Sequence, residues 1–121
     1  MPKTNLANAF AQITEHWSPR VAAELNGQHV KLARIEGTFD WHHHPEADEL
    51  FFVVEGHLRI ERRADEDVEL DAGELFVVGR GVEHRPVADE GEAHLLLFEP
   101  AGTRNTGTLD NERTIKTPAP L

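Results

Sequence analysis

Metal ligation is the chemistry suggested by a histidine-rich stretch near the middle of the chain. His42 and His44 are two residues apart, so on an extended strand their imidazoles project to the same face, while His43 points to the opposite face. Residues 45–48 favour a turn, and the run 49–54 then begins the next strand with the carboxylate of Glu49 at its start. The spacing therefore predicts that two imidazoles and one carboxylate lie together.

Two nitrogen donors and one carboxylate suit a divalent transition metal, whereas calcium and magnesium bind mostly oxygen. A fourth donor is expected near the end of another strand. His84 meets this condition because it follows an apolar run, residues 75–78, and a glycine turn, residues 79–81. We therefore interpret His84 as the fourth ligand.

The same positions carry a resemblance to a known protein family. One motif has the form H-x-H, four residues, a glutamate, six residues and a glycine, and it is formed by His42, His44, Glu49 and Gly56. A second follows G-x5-P-x-G-x2-H, with glycine in place of the proline, and it contains Gly73, Gly81 and His84. Over about residues 30–98 the sequence thus resembles the cupin superfamily. The resemblance implies that the metal ligands are His42, His44, Glu49 and His84.

The resemblance also implies the fold, the cofactor and the assembly. Cupins of the RmlC-like type are jelly-roll β-barrels, so we expect an all-β fold with a short N-terminal helix. We expect one divalent transition metal per chain, which is iron, manganese, nickel, zinc or cobalt. Dimers are common in the family, and a homodimer is therefore expected here.

Three other polar residues are assigned different roles. Asp48 is one residue out of phase with the inward-facing side chains of its strand, so Glu49 is preferred as the ligand. Strand alternation aims His43 away from the metal. His94 shares a strand face with apolar residues and is either a base beside the metal or a core histidine. The core role is favoured for His94, and no other catalytic residue is identified.

A helical arm is predicted ahead of the strands. Leu6, Phe10, Ile13 and Trp17 recur at steps of four, three and four residues, which places them on one face of a helix. The arm covers about residues 5–17 and ends before a proline. We expect this helix to pack on the outside of the domain.

Short strands separated by turn residues are predicted for most of the remaining chain. Asn26-Gly27 indicates a hairpin, because both residues tolerate a positive φ. Regular spacing of short strands is typical of a sandwich or barrel, and the resemblance selects the jelly roll. The predicted strands are 20–25, 28–36, 49–54, 68–70, 75–78, 85–88 and 94–98. They make a barrel over residues 20–99, and the polar, proline-containing residues 100–121 are predicted to be an extended surface tail.

The strand 49–54 is apolar on both faces, so each face must be covered. If residues 55–56 form a two-residue turn, Val53 pairs with Leu58 and Phe51 with Ile60 in a hairpin, although a bulge at the glycine would shift this register. The outer face is expected to be covered by a second subunit or by the helical arm. This expectation is a further reason to predict a homodimer.

Composition narrows the class of protein. The 121 residues, 1–121, suffice for a single domain. Asp and Glu total 22 against 12 Lys and Arg, and the net charge of -10 argues against nucleic acid or an anionic membrane as a partner. There is no cysteine, which excludes disulfides and thiolate metal sites. No apolar run has the length of a membrane span and the first residues do not resemble a signal peptide, so a cytoplasmic protein is expected.

Two functions fit this site. Three imidazoles and one carboxylate leave two positions of an octahedral metal open, where a substrate or dioxygen could bind. The favoured function is a metal-dependent enzyme that acts on a small polar organic molecule, by oxygenase, isomerase or lyase chemistry. The alternative is a non-catalytic module that binds or senses a small ligand.

Overall fold

The computed structural model describes residues 2–121, which form one helix and seven strands. In chain order the elements are α1 (Leu6–Gln12), β1 (Arg20–Leu25), β2 (Gln28–Thr38), β3 (Glu49–Glu55), β4 (His57–Arg62), β5 (Val68–Asp71), β6 (Leu75–Val78) and β7 (His84–Pro100). All pairs between these strands are antiparallel. The all-β class and the short N-terminal helix are confirmed.

The strand β7 organises the fold because it pairs with β2, β3 and β4. The order β1-β2-β7-β3-β6 forms one run of strands, and β4 with β5 continues from the beginning of β7. Alternate side chains of these strands point inward and form the main core. The buried members are Ala33, Ile35, Phe51, Val53, Leu58, Ile60, Leu70, Val78, Ala88, Ala93, Leu95 and Leu97.

The hairpin between β1 and β2 agrees with its sequence signal. Asn26 and Gly27 have φ values of 50° and 75°, the pair of positive φ angles that a type I′ turn requires. Leu25 and Gln28 are paired across this turn. The helix α1 packs over the same region, where Phe10 contacts the buried Leu32 of β2 in a second apolar cluster.

The helix is shorter than the spacing of its apolar residues predicted. Asn5 caps it, since its side chain accepts a hydrogen bond of 3.0 Å from a backbone N–H three residues later. Ile13 has an extended backbone and ends the helix, and Trp17 has a φ of 59°. The ring of Trp17 instead stacks on Phe39 at 4.7 Å. The four apolar residues of the predicted helix do face the barrel, but Ile13 and Trp17 lie in the irregular segment that follows α1.

The predicted hairpin between β3 and β4 is wrong. β3 lies between β6 and β7, whereas β4 lies between β5 and β7. Between β3 and β4 the chain crosses over β7 at Gly56, which has a φ of 89°. A Cβ at Gly56 would lie 2.7 Å from the carbonyl oxygen of Glu92 and 3.0 Å from Cα of Ala93. This close crossing over β7 replaces the expected turn.

A second difference concerns β7 itself. Residues 85–88 and 94–98 were predicted as separate strands, but they belong to one strand, His84–Pro100. Gly91, within the expected turn, has a φ of 96°, and the pairing with β2 shifts between Ile35 and Gly37. The turn signal in the sequence therefore corresponds to an irregularity inside a continuous strand.

Residues 100–121 lie mostly at the surface, but they fold through turns instead of forming the extended tail that the sequence predicted. After β7 the chain turns back over the barrel, and Thr106 is fully buried there. The end of the chain runs beside β1, where the N–H of Val21 donates to the carbonyl of Ala119 and the N–H of Leu121 donates to the carbonyl of Val21. Residues 100–121 therefore pack against the strands of the barrel. Among residues 2–121 we find no helix with the length and apolar character needed to cross a bilayer.

Candidate metal centre

The four predicted ligands come from two strand starts and one extended segment. His84 is the first residue of β7 and Glu49 the first of β3, while His42 and His44 lie on the chain between β2 and β3. The N–H of His42 donates to the carbonyl of His84 and the N–H of His84 donates to the carbonyl of His42, both at 2.9 Å. All four side chains are buried. Backbone pairing thus holds two of the imidazoles side by side.

The side chains converge on one point. Each contributes one nitrogen or oxygen atom, and these four atoms lie within 4.8 Å of one another. Glu49 Oε1 is 3.4 Å from His44 Nε2 and 3.6 Å from His84 Nε2. The ring centroids of His42 and His84 are 4.4 Å apart. The structure therefore brings together all four residues that the sequence singled out.

Hydrogen bonds to the outer ring nitrogens orient two of the imidazoles. His42 Nδ1 is 2.9 Å from the carbonyl oxygen of Asp40, and His84 Nδ1 is 2.8 Å from the carbonyl oxygen of Val82. A carbonyl can only accept, so in a neutral ring the hydrogen is on Nδ1. The lone pair is then on Nε2, the atom that a metal-binding histidine would use.

Within residues 2–121, three buried atoms of this cluster have no hydrogen-bond partner: His44 Nε2, Glu49 Oε1 and His84 Nε2. A buried polar atom without a partner costs about 1–3 kcal/mol. A divalent cation would satisfy these atoms together, and imidazole with carboxylate is a donor set for transition metals. The residues present therefore fit such an ion.

The electrostatics of the cluster favour the protonation states that metal binding needs. Burial, followed by the neighbouring His84, lowers the pKa of His42 to about 4. Burial alone would raise the pKa of Glu49, but its contacts with Glu99, His44 and His84 outweigh burial and hold that pKa well below its ordinary value. A neutral imidazole and an ionised carboxylate are the forms that bind metal.

The family follows from a comparison of sequences. The family model described as "Cupin domain" matches residues 28–99. This stretch is more than half of the chain and contains all four residues of the cluster. The chain belongs to the cupin family.

Known proteins similar to this cupin support its fold. A cupin-2 domain containing protein from Shewanella frigidimarina is 45% identical, and its crystal structure matches 80% of this chain and 93% of its own with a TM-score of 0.77. The crystal structure of protein NMB1881 from Neisseria meningitidis is 29% identical and matches 83% and 100% with a TM-score of 0.75. The uncharacterized protein YdbB of Bacillus subtilis is 37% identical over 81 residues, which are 67% of this chain and 72% of the relative. The cupin jelly roll is thereby confirmed.

The candidate catalytic histidine lies outside the four-residue cluster of this cupin. His94 is on the outer side of β7, where its ring stacks on Phe10 of α1 at 4.6 Å. Its Nε2 is 2.9 Å from Glu92 Oε1. His94 is therefore packed between helix and sheet, and the role of a base beside the metal does not apply. His94 faces outward because it is one residue before the inward-facing Leu95, and neighbouring side chains of a strand point to opposite faces.

The other two side chains weighed as alternatives also lie outside. His43 points away from the cluster, and its Nδ1 is 3.1 Å from Glu83 Oε2 at the surface. The carboxylate of Asp48 is exposed and accepts a hydrogen bond of 2.9 Å from the backbone N–H of Arg80. Both positions agree with the strand phase assigned from the sequence.

The cluster borders a cavity inside the cupin barrel. The cavity volume is about 40 Å³, which holds on the order of three water molecules. His42 and Glu49 are part of its lining. The rest of the lining is mostly apolar, and its members include Trp17, Phe39, Phe51, Leu95 and Leu97.

Sequence reasoning missed a buried pair of charged residues, of which Glu99 lines this cavity. Lys31 of β2 and Glu99 of β7 are 1% and 2% exposed, and Lys31 Nζ lies 2.8 Å from Glu99 Oε1. Burial and the adjacent carboxylate of Glu49 raise the pKa of Glu99 well above its ordinary value, against the opposing effect of Lys31. The signal was the strand phase: Glu99 is two residues beyond Leu97, so it faces inward.

Proposed function

We propose that this cupin binds one divalent transition metal per chain and uses it to act on a small polar organic molecule. The observation that carries the proposal is the convergence of four buried donor atoms, three of them without a hydrogen-bond partner in the described chain. The proposed ligands are His42, His44, Glu49 and His84. Iron, manganese, nickel, zinc and cobalt all suit this donor set.

A metal held by these four residues would supply a Lewis acid beside the cavity. The protein contributes the remaining requirements. The backbone pair between His42 and His84 fixes the ring positions, and the carbonyls of Asp40 and Val82 fix the ring orientation. The apolar cavity wall restricts water beside the metal, which strengthens electrostatic interactions with a bound substrate.

Similar folds are compatible with enzymatic chemistry but do not assign it. A hydroquinone 1,2-dioxygenase, PnpCD, has been crystallised with Cd²⁺ and 4-hydroxybenzonitrile, and its structure matches 78% of this chain with a TM-score of 0.66. The two sequences are 19% identical, so the likeness is one of fold. Oxygenase, isomerase and lyase reactions are the classes that we propose to test first.

The second candidate is a module that binds or senses a small ligand without reaction. One observation favours it: His94, the imidazole considered as a base, faces the helix rather than the cavity. A binding module would need the metal and the cavity but no group that transfers a proton. The two candidates therefore share the site and differ only in turnover.

Elemental analysis of the purified protein tests the shared part of the proposal. We expect close to one transition metal per chain in the wild type and in His43→Ala, because His43 points outward. Loss of metal is expected in His84→Ala. A wild type that neither carries nor takes up a divalent metal would contradict the proposal. Turnover of a metabolite panel by the metal-loaded protein then separates the enzyme from the binding module.

A further inference from the structure

A buried ion pair, Lys31 and Glu99, lies beside the four metal-binding candidates, and Glu99 lines the same cavity. Lys31 Nζ donates to Glu99 Oε1 at 2.8 Å and to the carbonyl oxygen of Thr103 at 3.0 Å. Both charged side chains are 2% exposed. Burial of two charges is expensive and adds little net stability. A role in function is therefore a reason for the pair to be present.

The second oxygen of this carboxyl group is available to a ligand. Glu99 Oε2 is buried and has no hydrogen-bond donor among the residues that the structure describes. Glu99 lines the same cavity as His42 and Glu49, and its carboxyl group adjoins that of Glu49. A ligand that occupies the cavity would therefore meet the four metal-binding candidates and Glu99 Oε2 side by side.

We propose that Glu99, held by Lys31, binds a hydroxyl group of a small neutral ligand whose second oxygen function faces the metal centre. This inference rests on the proposed function and names its substrate class: compounds with a hydroxyl next to a carbonyl or to another hydroxyl. The apolar wall, which includes Phe39, Phe51 and Leu97, contacts the carbon atoms between these groups.

Three features of the cavity select this class. A hydroxyl both donates and accepts, so it pairs with Glu99 whether or not the carboxyl group carries a proton. A carboxylate at the same position would face the oxygen atoms of Glu49 and Glu99 and would be repelled. The volume of about 40 Å³, which corresponds to roughly three waters, limits the ligand to a few heavy atoms.

Two probes of equal size test the proposal. Hydroxyacetone carries a hydroxyl beside a carbonyl, and butan-2-one has a methyl group in place of the hydroxyl. Each is titrated into zinc-loaded protein and followed by NMR chemical shifts of the backbone amides. In the wild type we expect hydroxyacetone to bind at least about tenfold more tightly, which corresponds to one well-made hydrogen bond.

Two variants assign the selectivity to this pair. Glu99→Gln keeps an oxygen for Lys31 and a polar group for the ligand, so a preference of at least about threefold should remain. The double variant Lys31→Met/Glu99→Met replaces both charges with apolar side chains of similar size, a change that buried ion pairs tolerate. The preference for hydroxyacetone should fall to about onefold in the double variant. Circular dichroism confirms that both variants are folded.

The outcomes separate this inference from the proposed function. Zinc content is measured by mass spectrometry on the same samples, and it should be equal in the wild type and both variants. The two probes are also titrated into metal-free protein, so that hydroxyl selectivity is tested even if zinc fails to bind. A wild type that does not prefer hydroxyacetone, or a double variant that keeps the preference, would overturn the role of Glu99.

Discussion

Removal of the metal is the perturbation that tests the centre most directly. In metal-free protein, three buried atoms of the cluster would have no partner in the described chain, and the wild type should be markedly less stable than with zinc. His42→Ala and His44→Ala each remove one of the four converging donors. His43→Ala is the matched control, since the same substitution one residue away changes a side chain that faces the surface.

The magnitude follows from linkage. At a free zinc concentration of 100 times Kd, binding stabilises the folded state by about 2.7 kcal/mol, which for a domain of this size raises Tm by roughly 8–13 °C. A site of four ligands binds zinc with about 10–16 kcal/mol, so loss of one ligand weakens binding on the order of 100–1000-fold. At the same zinc concentration the stabilisation then falls to about 0.4 kcal/mol or less, which is roughly 2 °C.

The assay is a thermal melt of each protein with chelator and with zinc, followed by circular dichroism. Each variant is compared with its own metal-free form, so that the direct effect of the substitution on packing cancels. We expect the full shift in the wild type and in His43→Ala, and nearly none in His42→Ala and His44→Ala. A full shift in His42→Ala together with its loss in His43→Ala would refute the assigned orientation of the segment.

Three further predictions concern pH, backbone geometry and assembly. Because burial holds the pKa of His42 at about 4, below the 6.5 of the unfolded chain, the unfolded state binds more protons between these values. The free energy of unfolding of the metal-free protein, measured by urea titration, should therefore fall by roughly 3 kcal/mol as pH is lowered from above 6.5 towards 4. The loss should be smaller in the His42→Gln variant. Gly56 and Gly73 share a φ of +89°, but of the two only Gly56 has backbone atoms in the way of a Cβ. Gly56→Ala should therefore lower the free energy of unfolding by about 2–4 kcal/mol and Gly73→Ala by about 1 kcal/mol. Equal losses for the two variants would contradict the close crossing. Finally, we propose a homodimer through the exposed Leu75 and Val77 of β6, so light scattering should give twice 13.6 kDa for the wild type and 13.6 kDa for Leu75→Lys/Val77→Lys.

Local patterns predicted the elements of the fold better than their partners. The Asn26-Gly27 turn and the bounds of β1 and β6 were predicted correctly because short-range φ preferences and apolar runs determine them. The partner of β3 was not predicted correctly, because the choice between β4 and β7 depends on contacts between residues that are far apart in the sequence. The C-terminal residues were predicted to be an extended surface tail because of their polar composition, yet Thr106 and its neighbours form hydrogen bonds within a folded segment.

The convergence of the four side chains was predicted correctly despite the error in strand pairing, because it does not depend on that pairing. His42, His44 and Glu49 lie within eight consecutive residues, so alternation and one turn are enough to bring them together. His84 is joined to them by its own backbone hydrogen bonds with His42, whichever strand lies beside β3. Glu99 is different, since its proposed role depends on Lys31, which is far away in the sequence, and on a cavity that only the folded barrel creates. Candidate ligands close in sequence can therefore be found from spacing, whereas the pairing of Glu99 with Lys31 beside them has to be found from the structure.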